Sequence, residues 1–233
     1  MRIGIIGAME SEIGGLRDAL INVKVVKKAG MEFFQGVMSD CGNEVIVVKC
    51  GVGKVNAAVC AEILCECFKV DCLINTGAAG SLNAKIDIGD VVLCTEAVQH
   101  DMDCRGFGSP IGKIPFMKTS EFPADERLRS LAKSVCEKVC TDIKVFEGRI
   151  ATGDQFICDK EKKSFITENF GALCCEMEGA AIAQTAFLND VPFLIIRAIS
   201  DKADDSAEMD YPAFERMAAW HSIKILTEMV GML

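Results

Sequence analysis

Along the chain, short apolar runs that end in a glycine or an acid alternate with segments whose apolar residues recur every three or four positions. The first run, Arg2 to Gly7, is rich in isoleucine and predicts a buried strand. A turn from Gly7 to Glu12 then leads into a helix reaching about Leu20, with Ser11 as its expected N-cap. Lys24 to Ala29 and Met31 to Ser39 read as extended segments. Cys41-Gly42-Asn43 reads as a hairpin turn into the strand Glu44 to Lys49. That order is a meander, not a βαβ unit. Gly51-Val52-Gly53-Lys54 opens an apolar helix to Phe68, and Cys72 to Thr76 is the next strand. The stretch Gly77-Ala78-Ala79-Gly80 reads as a small-residue turn whose bare backbone could approach a ligand.

In the second half, Asp90 to Val98 predicts a strand, Gln99 to Pro123 a long irregular stretch, and Asp125 to Cys140 a helix. Lys144 to Thr152 is a strand, Gly153 to Ile157 the loop after it, and Lys160 to Phe170 a helix. The run Leu173-Cys174-Cys175 ends in Glu176-Met177-Glu178 before a small-residue helix from Gly179 to Asn189. If the run stays extended, Glu176 and Glu178 share a face, and two buried acids side by side call for a polar ligand, a shared proton or a cation. Alternatively, Glu178 only opens the helix, where a carboxylate favours the positive end of the dipole. Phe193 to Ser200 is an apolar strand broken by Arg197, which needs a partner, and ending at Asp201. A polar loop, Lys202 to Asp210, leads to a last helix from Pro212 to Met229 with an apolar stripe at Phe214, Met217, Ala218 and Ile225.

Strands and helices alternate without a linker or a shift in composition, which predicts one α/β domain over residues 1–233, with a mostly parallel mixed sheet extended by the early antiparallel hairpin. In such sheets ligands gather beyond the carboxyl ends of the strands. Glu10, Glu12, the Gly77 turn, Phe156, the Glu176/Glu178 pair and Asp201 all fall there. Acids and an Arg under hydrophobic cover suggest acid–base chemistry on an uncharged polar molecule.

Charge and composition narrow the partners. A net charge of −9 argues against nucleic acid, which needs a concentrated positive surface. No apolar run approaches the roughly 18 residues of a membrane span, and the start lacks the long apolar region of a signal peptide, so a cytoplasmic protein is expected. The 13 cysteines include no C-x-x-C pair and sit mostly in apolar segments, so they read as reduced core thiols. With two histidines in the chain, no metal is expected. The glycines fit neither a dinucleotide fingerprint nor a Walker A loop.

Five motifs in order then carry a likeness: Gly4 to Glu12 (GIIGAMESE), Gly51 to Ala58 (GVGKVNAA), Ile74 to Gly80 (INTGAAG), Glu176-Met177-Glu178, and Arg197 to Asp201 (RAISD). Over nearly its whole length the chain resembles the 5′-methylthioadenosine/S-adenosylhomocysteine nucleosidases of the nucleoside phosphorylase superfamily. The resemblance implies a single-domain three-layer αβα sandwich and hydrolysis of the bond joining adenine to a 5′-thio-substituted ribose, with no cofactor. By the same resemblance, Asp201 protonates N7 of adenine and Glu12 orients or activates the attacking water, with Arg197 holding that acid and the water. Glu178 binds the ribose hydroxyls and Met177 packs on the sugar, while Glu176 either touches the ribose or supports the site. Phe156 stacks on adenine and the Ile157 backbone reads its edge. The family works as a homodimer in nucleoside catabolism and methionine salvage, which makes Cys104 and Phe107 expected contacts in the neighbouring subunit's 5′-substituent pocket. Ala78 departs from the family, where many members carry Ser. A purine nucleoside phosphorylase, a futalosine-type hydrolase and a non-catalytic nucleoside-binding protein remain as alternatives. Glu10, Glu12 and Asn75-Thr76 would hold a phosphate dianion poorly.

Overall fold

In the computed structural model the apolar runs pair into one ten-stranded mixed sheet. The structure describes residues 1–38, 42–203 and 207–233, apart from the side chains of 207–213 and 215–219. The strands are β1 (Arg2–Gly7), β2 (Ile21–Lys28), β3 (Met31–Val37), β4 (Glu44–Lys49) and β5 (Cys72–Ser81), followed by β6 (Val91–Gln99), β7 (Glu121–Pro123), β8 (Val145–Thr152), β9 (Cys174–Glu176) and β10 (Phe193–Asp201). The helices are α1 (Glu10–Asp18), α2 (Lys54–Glu66), α3 (Glu126–Val139), α4 (Lys160–Phe170), α5 (Gly179–Leu188) and α6 (Ala207–Met232).

Parallel ladders join β4, β1, β5 and β10, and separately β6, β8 and β9. The meander adds β3 and β2 antiparallel beside β4. β5 runs far enough to border β1, then β10, and at its end β9, where Gly80 faces Cys175. Because β10 also lies antiparallel to β6, the strands β5, β10, β6, β8 and β9 close into a ring. Closure brings the last residues of β5, β9 and β10 together at one place.

Strands buried on both faces read as continuous apolar runs. In β4, Val45 and Val47 face one core while Ile46 and Val48 face the other. The first core packs Ile13 and Leu16 of α1, Leu128 and Val135 of α3, and Ile225 and Leu226 of α6. The second packs Ala57 and Leu64 of α2 with Ala180 and Ile182 of α5. Each fully buried Ile or Leu contributes on the order of 2 kcal/mol of hydrophobic transfer. The result is the three-layer αβα sandwich that the resemblance implies. The twelve described cysteines are free, nine of them buried; Cys41 of the expected hairpin turn lies outside the described residues.

Four expectations change. Gly77 to Gly80 is no turn but the second half of β5. Helix α1 starts after Met9, not Ser11: the Glu12 side chain reaches back to the Met9 amide, and so fixes the first turn itself. The irregular stretch contains a 3₁₀ turn at Arg105–Phe107 and the short strand β7, paired with β6. The last helix begins at Ala207 instead of Pro212. Residues 204–206 of the preceding loop, and Met217 and Ala218 of the apolar stripe, lie outside the described residues or side chains, whereas Ile225 is buried as expected.

Candidate active site

A cleft of about 240 Å³ opens where β5, β9 and β10 end. From the sequence-predicted set it gathers Glu12, Ala78, Phe156, Ile157, Glu176, Met177, Glu178 and Asp201. Each carboxylate is held differently, and the differences decide what each can do.

Glu12 points from the first turn of α1 back under β1. Its Oε2 accepts the amides of Ala8 at 2.6 Å and Met9 at 3.0 Å, and its Oε1 accepts the Ala78 amide of β5 at 3.0 Å. A carboxylate offers about four acceptor positions, so three amides leave one free. Burial pushes the Glu12 carboxyl above its ordinary value, against the opposing charge of Arg197 and the three amides. The glycines of β5 make this approach possible: a Cβ on Gly77 would stand 2.4 Å from Glu12 Oε1, and one on Gly80 would stand 2.7 Å from Asp201 Oδ1.

Glu176 closes β9, and the chain turns at Met177, so Glu176 and Glu178 are not a same-face strand pair. The helix-opening role falls to Glu176. Its Oε2 accepts the amides of Glu178 at 3.0 Å and Gly179 at 2.7 Å, capping α5, and also accepts from Arg197 Nη2. Its Oε1 accepts the Thr152 hydroxyl. Four protein donors thus engage it, three on Oε2 and one on Oε1. Burial alone would raise the Glu176 carboxyl, but Arg197 and these hydrogen bonds outweigh it and hold it below the ordinary value.

Glu178 receives one amide, from Gly53 at 2.8 Å. Burial first, and the neighbouring Glu176 charge second, push its carboxyl up to about 7. Asp201 ends β10, with Oδ2 accepting the Ser200 hydroxyl at 2.9 Å and Oδ1 the Ala203 amide at 2.8 Å.

Arg197 was expected to hold Glu12 and to bind ligand; its hydrogen bonds go instead to Glu176 and Asn75. It is 1 % exposed, does not line the cleft, and donates through Nη2 to Glu176 and to Asn75 Oδ1 at 2.5 Å. It reaches Glu12 through charge alone. Burial works against the guanidinium's charge, yet the three surrounding carboxylates raise its affinity for the proton further. Glu10 stands outside the cleft and pairs with Arg17 and Lys49. Cys104 and Phe107 likewise lie outside this chain's own cleft, with Phe107 90 % exposed.

Cleft residues that the sequence reading missed include Met9, Val52, Gln155, Cys175 and Ser200. Asn75 and Thr152, which orient Arg197 and Glu176, were missed as well. The signal for Asn75 was available, since an amide between Ile74 and Thr76 in a buried strand must find partners; it donates to the Ile6 carbonyl at 3.0 Å. Phe156 stands half exposed over the cleft, and Ile157 is buried beneath it.

Carboxylates with distinct proton affinities, sharing an apolar-walled cleft at the strand ends, define an α/β enzyme working on a small polar ligand. Comparison with known proteins narrows this class. Residues 2–231 match the Phosphorylase superfamily. The chain is 42% identical over 234 residues to the 5′-methylthioadenosine/S-adenosylhomocysteine nucleosidase of Bacillus cereus (strain G9842), covering 98% of this chain and 100% of the relative. The Neisseria meningitidis enzyme of the same name, solved in complex with methylthio-immucillin-A, matches with a TM-score of 0.94 at 38% identity, over 100% of this chain and 99% of that one. The futalosine hydrolase of Helicobacter pylori strain 26695 matches with a TM-score of 0.94 at 36% identity, over 100% and 98%. The chain belongs to the phosphorylase superfamily and, within it, to the 5′-methylthioadenosine/S-adenosylhomocysteine nucleosidase family.

Proposed function

We propose that the protein hydrolyses the N-glycosidic bond of 5′-methylthioadenosine and S-adenosylhomocysteine, releasing adenine and the 5′-substituted ribose, with 5′-deoxyadenosine as a further substrate. The observation that carries this reading is the division of labour among the carboxylates: Glu12 keeps one acceptor position free, Glu178 keeps most of its own, and Asp201 lines the same cleft from the end of β10.

Asp201 gives its proton to N7 of adenine as the C1′–N9 bond breaks, so the bonding electron pair leaves with a neutral base. The water oxygen forms the new bond to C1′, and its proton passes to the free position on Glu12. Glu12 must be ionised to take it, which the Arg197 charge and three amides favour against burial. Glu178 accepts the ribose hydroxyls and opposes the positive charge developing on the sugar. Met177 packs against the sugar, Phe156 stacks on adenine, and the Ile157 backbone reads the base edge. Ala78 contributes its amide to Glu12 and no hydroxyl to the cleft. Glu176 supports the site from the cleft wall, and Arg197 holds Glu176 from behind it.

The reading extends to a cytoplasmic homodimer in which Cys104 and Phe107 reach the partner's cleft beside the 5′ substituent. Exposed Val55 and Val59 on α2 are the apolar surface that a second copy would cover, and Phe107 is exposed enough to reach a partner.

Adenine release from methylthioadenosine, adenosylhomocysteine, 5′-deoxyadenosine and adenosine, measured in phosphate-free buffer, tests the activity. An absolute phosphate requirement would make the protein a phosphorylase, and turnover of futalosine alone would move it to that branch. Asp201→Asn should still bind a substrate analogue while losing turnover by roughly 10³-fold.

A further inference from the structure

Outside the cleft, three charged side chains close a ring that no step above uses. Lys54, the first residue of α2, donates from Nζ to Asp101 Oδ1 at 2.6 Å. Asp101 Oδ2 accepts the Asp154 amide at 3.0 Å, and Asp154 Oδ1 accepts the Lys54 amide at 2.8 Å. The pair at its centre is well covered, with 19% and 16% of the Lys54 and Asp101 side chains exposed. Lys54 Nζ also donates to Gln99 Oε1 at 3.0 Å, and Gln99 Nε2 donates to Gln184 Oε1 of α5 at 2.6 Å.

Two corners of this ring, Lys54 and Asp154, adjoin pieces of the cleft in sequence. Gly53, which donates its amide to Glu178, precedes Lys54, and its φ of 96° is a backbone state that glycine adopts without strain. A Cβ there would also stand 3.1 Å from Asp154 Oδ1. Asp154 lies two residues before Phe156, and Asp101 holds the Asp154 amide. Gln184 sits on the helix that begins immediately after Glu178. Charge-assisted hydrogen bonds in partial burial are stronger and better directed than exposed ion pairs.

We propose that Lys54, Asp101 and Asp154 form a positioning ring that holds the Gly53 amide against Glu178 and the Phe156 loop over the cleft, and so sets affinity for the nucleoside. The ring touches no reacting atom. It rests on the proposed function for the identity of the nucleoside, and on the hydrogen bonds alone for its effect on the cleft. Removing the ammonium leaves Asp101 without its cation and loosens its hold on the Asp154 amide. The Phe156 loop loosens with it, as does the Gly53 turn that leans on Asp154 Oδ1, which weakens grip on sugar and base in the bound state and the transition state alike. Uniform binding lost in this way raises KM and leaves kcat in place.

The test compares wild type, Lys54→Met, Lys54→Arg and Asp101→Asn for adenine release from methylthioadenosine, with thermal unfolding measured in parallel. Lys54→Met and Asp101→Asn should raise KM about tenfold with kcat within about twofold, and Lys54→Arg should recover most of the loss. Should Lys54→Met fail to fold, Asp101→Asn, which keeps its shape and loses its charge, carries the same readout. An unchanged KM, or a fall in kcat that matches the loss in kcat/KM, overturns the ring as a device for affinity. Wild-type protein that releases no adenine defeats the functional reading instead, and the ring is then read from binding of adenine itself, which should weaken in the same two variants and is overturned if it does not.

Discussion

Arg197 donates its Nη2 to Glu176 and not to Glu12, so this buried guanidinium is spent on the carboxylate that already accepts most from the protein. A buried ion pair is weak evidence for net stability, but breaking it leaves an uncompensated charge. Arg197→Met is therefore expected to lower the unfolding free energy by about 3–5 kcal/mol. Adding Glu176→Gln to that variant should restore part of the loss, because the stranded charge is gone. Urea unfolding of the two variants checks this, and a loss below about 1 kcal/mol for Arg197→Met would contradict the pairing.

The same pair governs a proton. Glu178 keeps its proton to a pH of about 7 in the folded protein, raised by burial and then by Glu176. An unfolded glutamate loses its proton near about 4.3. Between those values the folded state binds the extra proton, so this group's contribution to stability is full at low pH and is lost as pH rises toward 7. Glu178→Gln should flatten that fall in stability. Binding of ribose hydroxyls needs the ionised form, so kcat/KM should rise with pH through a limb near 7. Glu176→Gln removes a negative neighbour and should move that limb to lower pH. A limb left in place would remove Glu176 from control of Glu178.

How legible this was in the sequence varies with the kind of feature. Strand and helix alternation could be read from apolar runs such as Val45 to Val48, because burial on both sheet faces leaves an unbroken hydrophobic stretch. Gly77 to Gly80 misled, since a Gly/Ala run resembles a turn. Its glycines serve side chains from elsewhere in the chain, Glu12 and Asp201, whose positions no local pattern encodes. The partner of Arg197 was unreadable for the same reason: Glu176 is 21 residues away and Asn75 is 122. Met177 hid the turn that separates Glu176 from Glu178, because nothing in its side chain forbids extended backbone. The family motifs identified Glu12, Glu178 and Asp201 as site residues, but not which of the acids has room for a ligand.

Gly77 offers a direct probe of how closely Glu12 must be held. The residue lies in extended backbone within β5, so Ala is compatible with its local conformation, and what opposes it is contact. A Cβ would stand 2.4 Å from Glu12 Oε1 and 3.0 Å from Arg197 Nη1. Gly77→Ala should therefore fold and displace the Glu12 carboxylate from the Ala78 amide. A misplacement of about 1 Å at such a group costs roughly 100-fold in rate. Turnover within a few-fold of wild type would mean that Glu12 need not occupy this position.

The apolar face on α2 makes the assembly testable apart from the chemistry. Val55 is 75 % exposed and shares the surface with Val59, one helical turn away. A second copy of this chain is the proposed cover for these side chains. Val55→Glu adds a charge that solvent accommodates in a monomer and a buried interface does not. The variant should sediment as a monomer with its unfolding transition intact. Its activity should fall as well, because Cys104 and Phe107 would no longer complete the neighbouring cleft; Phe107→Ala should reproduce part of that fall while leaving the dimer assembled. A wild-type protein that sediments as a monomer at micromolar concentration and is fully active would sink the homodimer and the shared pocket together.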